Sequence, residues 1–246
     1  DIEYILNKIP FLPGIGYAGF REKAALRKHL SWAIGLDSKR SIVFKRSVEN
    51  QIVQTIKDIV KKCHKLVLPS STINLFLFPT FDPFVKSRMS GASGFCFWRN
   101  AVIIYINPHV NKWKKAVVDT VCHEYAHSIT LNYNKWGTLL DGMIFDGLAE
   151  HFREAVLRGK SALWSNALNE KEAKKIFKRL RSKLDSKNQK LYKEVFYGGG
   201  KYPLWTGYSI GYHIVKNYIA NLDKVDWPEI FKKNPKKILK ESHFAS

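Results

Sequence analysis

The sequence predicts an α+β fold that is mostly helical and contains one small mixed β-sheet. In both halves of the chain, long stretches repeat apolar residues at steps of three and four, which is the spacing of one helix face. Residues 72–78 and 101–106 are short, rich in Ile, Val, Phe and Tyr, and bounded by Pro and Asn, as strands are, and residues 94–98 predict a third strand. We expect 1–110 to form N-terminal helices plus the sheet and 111–246 to form a helical part, together making one compact unit.

Composition narrows the class of protein. With 246 residues, 45% of them hydrophobic and 13% aromatic, the chain is long enough for one substantial core or for two lobes. The three cysteines show no paired spacing, so they predict neither a disulfide framework nor a cysteine metal site, and a cytoplasmic location is expected. No apolar run approaches the roughly 20 residues of a membrane span. The chain begins with Asp rather than Met, so what precedes residue 1 is left open.

Three further stretches complete the N-terminal part. Residues 1–20 combine apolar residues with Pro and Gly and predict a short helix followed by an irregular segment. Residues 21–36 and 47–65 are helical by periodicity.

The chemistry is concentrated in one helix, predicted over residues 113–133 because this stretch lacks Pro and Gly and is apolar at helical spacing. It contains the H-E-x-x-H pattern of His123, Glu124 and His127. Residues four apart lie on one face, so both imidazoles can reach one metal ion, with Glu124 beside them as a general base. Catalytic zinc usually has three protein ligands and keeps its fourth position for water, so a third ligand is expected elsewhere in the chain.

A second helix is predicted after Gly137, over residues 138–158. It carries Asp146 and Glu150, which are four apart and therefore share a face. Two carboxylates on one helix face suit a metal ligand and a group that supports one.

These residues resemble a family. His123-Glu124-x-x-His127 followed by Asp146-Gly-Leu-Ala-Glu150 is similar to the gluzincin metallopeptidases, and the stretch 122–152 resembles a bacterial family of predicted zinc-dependent proteases of otherwise unknown function. The likeness extends to 205–213 and weakly to 91–108, about half the chain. It implies a zincin-like fold with the sheet packed against the HExxH helix, Zn²⁺ as the cofactor, and a peptide or protein as the substrate.

The resemblance also suggests roles and shows one departure. The family pattern has Glu where this chain has the shorter Asp146, which remains the preferred third ligand, with Glu150 as the alternative and as support for a histidine if it does not bind the metal. The helix predicted over 206–220 supplies hydroxyl and imidazole donors for the developing oxyanion: Tyr208 first, then Tyr212 and His213. Gly211, on the same helix, would allow close approach of another backbone.

The leading hypothesis is a zinc endopeptidase in which a metal-activated water hydrolyses peptide bonds. No acidic residue lies between Asp82 and Asp119, the region where many gluzincin aminopeptidases hold the free amino group of the substrate, which favours an endopeptidase. One alternative is a non-proteolytic or degenerate zinc-binding protein.

The other alternative, a basic nucleic-acid or anionic-surface binder, comes from the net charge of +20, densest over residues 171–193. Lysines that alternate there with apolar residues at helical spacing are typical of a solvated helix face, so nucleic acid is not expected as the main partner. The oligomeric state is left open.

Overall fold

The computed structural model describes residues 44–244 and seven single positions before them, namely Glu3, Asn7, Ala24, Arg27, Lys28, Leu30 and Ser31. Apart from those positions, the expectations for residues 1–20 and 21–36 lie outside the described residues. The helices from residue 44 onward are α1 (Arg46–His64), α2 (Pro83–Arg88), α3 (Trp113–Thr130), α4 (Leu139–Leu157), α5 (Glu170–Leu180), a 3-10 turn (Arg181–Lys183), α6 (Gln189–Tyr197), α7 (Thr206–Ala220), α8 (Trp227–Lys232) and α9 (Pro235–Glu241). The strands are β1 (Asn74–Pro79), β2 (Ala92–Trp98) and β3 (Ala101–Ile106).

The described part of the chain confirms the predicted α+β class, mostly helical with a small mixed sheet. It also contains three short helices that periodicity did not predict, α2, α8 and α9. Each of them begins after an Asp or Asn whose side chain accepts a backbone N–H, and each has Pro in its first turn. Their capping signals were therefore present in the sequence, although helices of six or seven residues are too short to show a period.

The described residues fall into two compact units: 44–128 together with the seven earlier positions, and 129–244. In the first unit, β3 is the central strand of the sheet, with β1 parallel on one side and β2 antiparallel on the other. All six residues of β3 are buried, as expected of a strand covered on both faces. Among the described strands, β1 and β2 therefore lie at the two edges of the sheet.

Helix α3 is fixed to the rest of the first unit by hydrogen bonds of its side chains to backbone carbonyls. The Tyr125 hydroxyl donates to the carbonyl of Val67, just after α1, at 2.8 Å. The Ser128 hydroxyl donates to the carbonyl of Arg99, in the turn between β2 and β3, at 2.6 Å. The first bond attaches the helix to the segment after α1, and the second holds its C-terminal part against the β2–β3 hairpin.

In the second unit, α4 and α7 cross at two glycines. A Cβ at Gly147 would lie 2.6 Å from the carbonyl carbon of Gly211, and a Cβ at Gly211 would lie 2.6 Å from that of Met143. These distances are far below ordinary van der Waals contact, so only glycine allows the two backbones to approach so closely. The sequence-based expectation for Gly211 is confirmed.

Among the residues that the structure describes, no helix combines the length and the apolar character that a membrane crossing needs.

Candidate metal centre

The centre of the site is the pair of histidines on α3. The Nε2 atoms of His123 and His127 lie 2.9 Å apart, and their rings meet edge to face. Two imidazoles bound to one tetrahedral zinc at about 2.0–2.1 Å would place these nitrogens about 3.3 Å apart, so the pair already has nearly the spacing that the metal requires. Both residues are buried, with 8% and 3% of their surface exposed. Helical spacing alone therefore brings the two nitrogens to one point.

Glu124 lies on α3 beside β2. A Cβ at Gly94 would lie 2.5 Å from the Oε1 atom of Glu124 and 2.6 Å from its Cδ atom, so the carboxylate occupies the space left by the missing side chain. Glu124 is itself buried. Cys96 lies on β2, as Gly94 does, and the pKa of its thiol is raised by burial and, in addition, by the negative charge of Glu124. The Cys96 thiol is consequently protonated and donates to the carbonyl of Trp98 at 3.3 Å.

Helix α4 carries the two carboxylates, and its start is firmly defined. The Thr138 hydroxyl accepts the backbone N–H of Asp141, and the Asp141 carboxylate accepts the backbone N–H of Thr138, which is a capping box. From this start, Asp146 and Glu150 both lie within the buried part of the helix, with 3% and 1% of their surface exposed. Burying carboxylates is costly unless charges or hydrogen bonds compensate for the lost water.

One group of residues offers metal-ligand atoms at a common point. His123, His127 and Asp146 each supply one ligand atom, and these atoms lie within 4.8 Å of one another. Among the described residues, no other set of three or more His, Cys, Asp or Glu side chains meets the same geometric criterion, and Glu150 is not in the set. Two imidazole nitrogens and one carboxylate oxygen are a donor set of catalytic zinc, which keeps its fourth position open.

Comparison with known protein families also supports a zinc site. Residues 52–240 match the model of a family described as "Predicted Zn-dependent protease (DUF2268)". The chain belongs to this family. The matched residues include α3, α4 and α7, and therefore every residue that was predicted from the sequence for the metal site and for catalysis.

A curated relative of this chain is the uncharacterized protein YjaZ of Bacillus subtilis (strain 168). The two chains are 32% identical over 143 residues, which make up 55% of this chain and 54% of the relative. The chain therefore matches about half the length of that relative. No solved structure matches the chain.

Glu150 belongs to a buried polar network. Its Oε2 atom accepts hydrogen bonds from the Nη2 atom of Arg153 at 3.2 Å and from the Ser165 hydroxyl at 3.0 Å. Arg153 also donates to the carbonyl of Lys160 at 2.9 Å. The guanidinium compensates for burial of the carboxylate, and the same contacts attach the segment after α4 to the helix.

The three candidate oxyanion donors lie on α7 in different surroundings. The Tyr208 ring packs edge to face on Phe196 with centroids 5.1 Å apart. The Tyr212 hydroxyl is directed at the Oε2 atom of Glu154, at 3.5 Å, and burial together with that carboxylate raises the pKa of Tyr212 to about 12. The Nε2 atom of His213 donates to the carbonyl of Leu168 at 3.0 Å. The Tyr212 hydroxyl and the His213 Nε2 atom are therefore directed at partners within the second unit.

Sequence reasoning did not identify Gly94, Arg153 or Ser165. The signal for Gly94 was present, because a lone glycine inside a strand pattern often marks the close approach of another group. Arg153 follows Glu150 by three residues, a spacing that permits an ion pair on a helix. Nothing in the sequence connects Ser165 to α4, because that contact depends on the path of the segment after Leu157.

Proposed function

We propose that this member of the family is a zinc-dependent endopeptidase, with His123, His127 and Asp146 as the protein ligands of the metal. The observation that carries the proposal is the buried convergence of two imidazole nitrogens and one carboxylate oxygen within 4.8 Å. The family description supports the zinc and the protease class. The H-E-x-x-H spacing and the carboxylate on the following helix support the finer assignment to the gluzincin type.

A zinc ion at this position would polarise the peptide carbonyl and lower the pKa of the attacking water. Glu124 acts as the general base: its carboxylate accepts a proton from the water and then donates it to the departing amide nitrogen. The contact with Gly94 supports this role, because it confines the carboxylate between α3 and β2 and so limits the orientations it can adopt.

Tyr208 is the proposed donor to the oxygen that becomes negative as the peptide carbonyl is attacked. The alternatives are Tyr212, whose hydroxyl is directed at Glu154, and His213, whose Nε2 atom donates to a carbonyl. Changing Tyr208 to Phe removes only the hydroxyl and keeps the ring that packs on Phe196.

The substrate is proposed to bind in extended form along the edge of β2. The strand order favours β2 over β3 for this role, because β3 is central and has partners on both sides. A peptide paired with β2 would gain backbone hydrogen bonds and would pass beside Gly94 and hence Glu124. The absence of acidic residues from 83 to 118 supports cleavage within a chain rather than at a free amino end.

The decisive experiment compares the wild-type protein with Glu124→Gln in zinc content and in cleavage of an unfolded substrate such as casein. Glu124→Gln keeps the shape of the side chain but cannot accept the proton, so we expect zinc content to be unchanged and cleavage to fall by about 10²- to 10⁴-fold. Asp119→Asn is a matched control, because it removes another carboxylate from α3. Cleavage retained in Glu124→Gln would refute the mechanism, and a wild-type protein that binds zinc without cleaving would indicate a non-proteolytic zinc protein.

The third ligand is tested by the same zinc measurement on Asp146→Ala and Glu150→Ala. Loss of zinc from Asp146→Ala alone is expected, with Glu150→Ala weakening affinity by about 10- to 100-fold, as a supporting group does. Loss of zinc from Glu150→Ala alone would transfer the ligand role to Glu150.

A further inference from the structure

Outside the metal centre, the second unit carries a strongly basic surface on α5 and on the 3-10 turn that follows it. Its apolar residues Ala173, Ile176, Phe177 and Leu180 are all buried. Its exposed basic residues, which we call the basic face, are Lys171, Lys175, Lys178, Arg179, Arg181 and Lys183. Positions 171, 175, 178 and 179 follow helical spacing, so they form one stripe. Helix α5 thus packs against the rest of the second unit through its apolar side, and its opposite side presents cations to solvent.

The acidic residues near the basic face are largely occupied by other partners. Glu170 contacts Lys174 at 3.3 Å and accepts a hydrogen bond from Asn217 at 3.1 Å. Glu172 accepts the backbone N–H of Asn169 in a capping box. Asp185 pairs with Lys236 at 2.8 Å. These three carboxylates are therefore engaged with neighbours other than the basic face, and the six cations of the basic face outnumber them, so its net charge is positive.

The same contacts extend the positive surface to α9. The pair between Asp185 and Lys236 brings the first turn of α9 beside the end of the 3-10 turn. Next to α9, the rings of Phe177 and Phe244 pack edge to face at 5.4 Å. Helix α9 adds the exposed lysines Lys237 and Lys240. The positive charge thus spans several elements of one packed unit.

We propose that the basic face binds the anionic surface of a lipid bilayer. Lysine outnumbers arginine in it, and a lysine ammonium is a point charge suited to mobile headgroup phosphates, whereas arginine favours fixed bidentate recognition. The only aromatic residue of α5 and the 3-10 turn, Phe177, is buried, so the basic face lacks the exposed ring on which a nucleic-acid base stacks. Its apolar residues are buried too, so the attachment is electrostatic and reversible, without insertion. The proposal is independent of the peptidase assignment.

The test measures binding of the full chain to vesicles of phosphatidylcholine with 30% phosphatidylglycerol, and to phosphatidylcholine alone, by co-sedimentation at about 0.1 M salt, where the screening length is about 10 Å. The variant replaces Lys171, Lys175, Lys178 and Arg179 together by Gln. Each cation near the surface is worth about a fivefold change in partitioning, so we expect at least about a 100-fold loss of binding to the anionic vesicles. Binding by the wild type is expected to fall with added salt, to be negligible on the neutral vesicles, and to persist in a chelator.

The matched control replaces four exposed lysines of α1 and the residue after it, Lys57, Lys61, Lys62 and Lys65, by Gln. This variant has the same net charge as the test variant, so retained vesicle binding would assign the effect to the basic face. Equal loss in both variants would show that overall charge is responsible and would overturn the proposal. Two other results would also overturn it: no binding of the wild type to anionic vesicles, or its displacement from them by duplex DNA at equal phosphate concentration. Matching circular dichroism and melting temperatures would confirm that all three proteins are folded.

Discussion

Replacing Gly211 with Ala tests the close packing of α4 on α7. A Cβ at this position would lie 2.6 Å from the carbonyl carbon of Met143 and even nearer to its oxygen, whereas ordinary contacts begin at 3.4 Å. Because the obstacle is backbone, no side-chain rotation can relieve it, and the helices must separate by about 1 Å against a close-packed interior. The expected result is a loss of stability, although Ala is the better helix former.

The magnitude follows from two opposing contributions. Overpacking by one carbon costs about 1–3 kcal/mol, and a backbone obstacle places this site at the upper end, near 3 kcal/mol. The higher helix propensity of Ala offsets about 1 kcal/mol. The net loss of about 2 kcal/mol corresponds to a fall in Tm of about 4–8 °C for a chain of this length.

The assay is urea and thermal unfolding followed by circular dichroism, with Gly147→Ala and the double variant completing a cycle. Gly147 meets the backbone of Gly211 in the same crossing, so separating the helices for one Cβ makes room for the other. The double variant should therefore lose clearly less than the sum of the two single losses. Gly137→Ala is the control, because its Cβ would meet nothing nearer than 3.8 Å. An unchanged or raised Tm for Gly211→Ala would refute the close approach.

Two further predictions concern Glu124 and His151. In Gly94→Ala the new Cβ would lie 2.5 Å from the Oε1 atom of Glu124 and nearer still to its Cγ atom, so the whole buried side chain must shift. Cleavage should therefore fall by about 100-fold, with a loss of stability of about 1–3 kcal/mol and zinc content near wild type. Unchanged cleavage would contradict the proposed position of Glu124. Burial lowers the pKa of His151 from 6.5 to about 4, opposed by its hydrogen bond to the Tyr212 carbonyl. Between these pH values the unfolded chain takes up a proton that the folded chain does not, so stability present above pH 6.5 is lost as the pH falls to 4, by up to about 3 kcal/mol. His151→Phe keeps a ring stacked on Tyr212, where the native ring centroids lie 4.4 Å apart. In urea unfolding from pH 4 to 7, the stability of this variant should depend less on pH than that of the wild type. The same pH dependence in both proteins would contradict the assignment to His151.

Much of the helical framework could be predicted because its signals are local. The helices predicted over 138–158 and 206–220 are found at Leu139–Leu157 and Thr206–Ala220. Thr138 supplies the first of these with a capping residue directly before a periodic apolar stretch. The helix predicted over 113–133 ends earlier, at Thr130, because the next residues form turns with short-range hydrogen bonds to Ile129 and Thr130. Such turns do not interrupt the repeat of apolar residues, so that repeat does not show where the helix ends.

The sequence by itself determined that His123, Glu124 and His127 share one helix and that Asp146 and Glu150 share the next, because helical spacing is a property of the backbone. Only the tertiary structure decided which strand lies at the sheet edge, that Gly94 leaves room for Glu124, and that Ser165 and Arg153 contact Glu150. These contacts join residues distant along the chain or depend on side-chain directions, so no local period encodes them. They arise when the core closes and each buried polar group must find a partner.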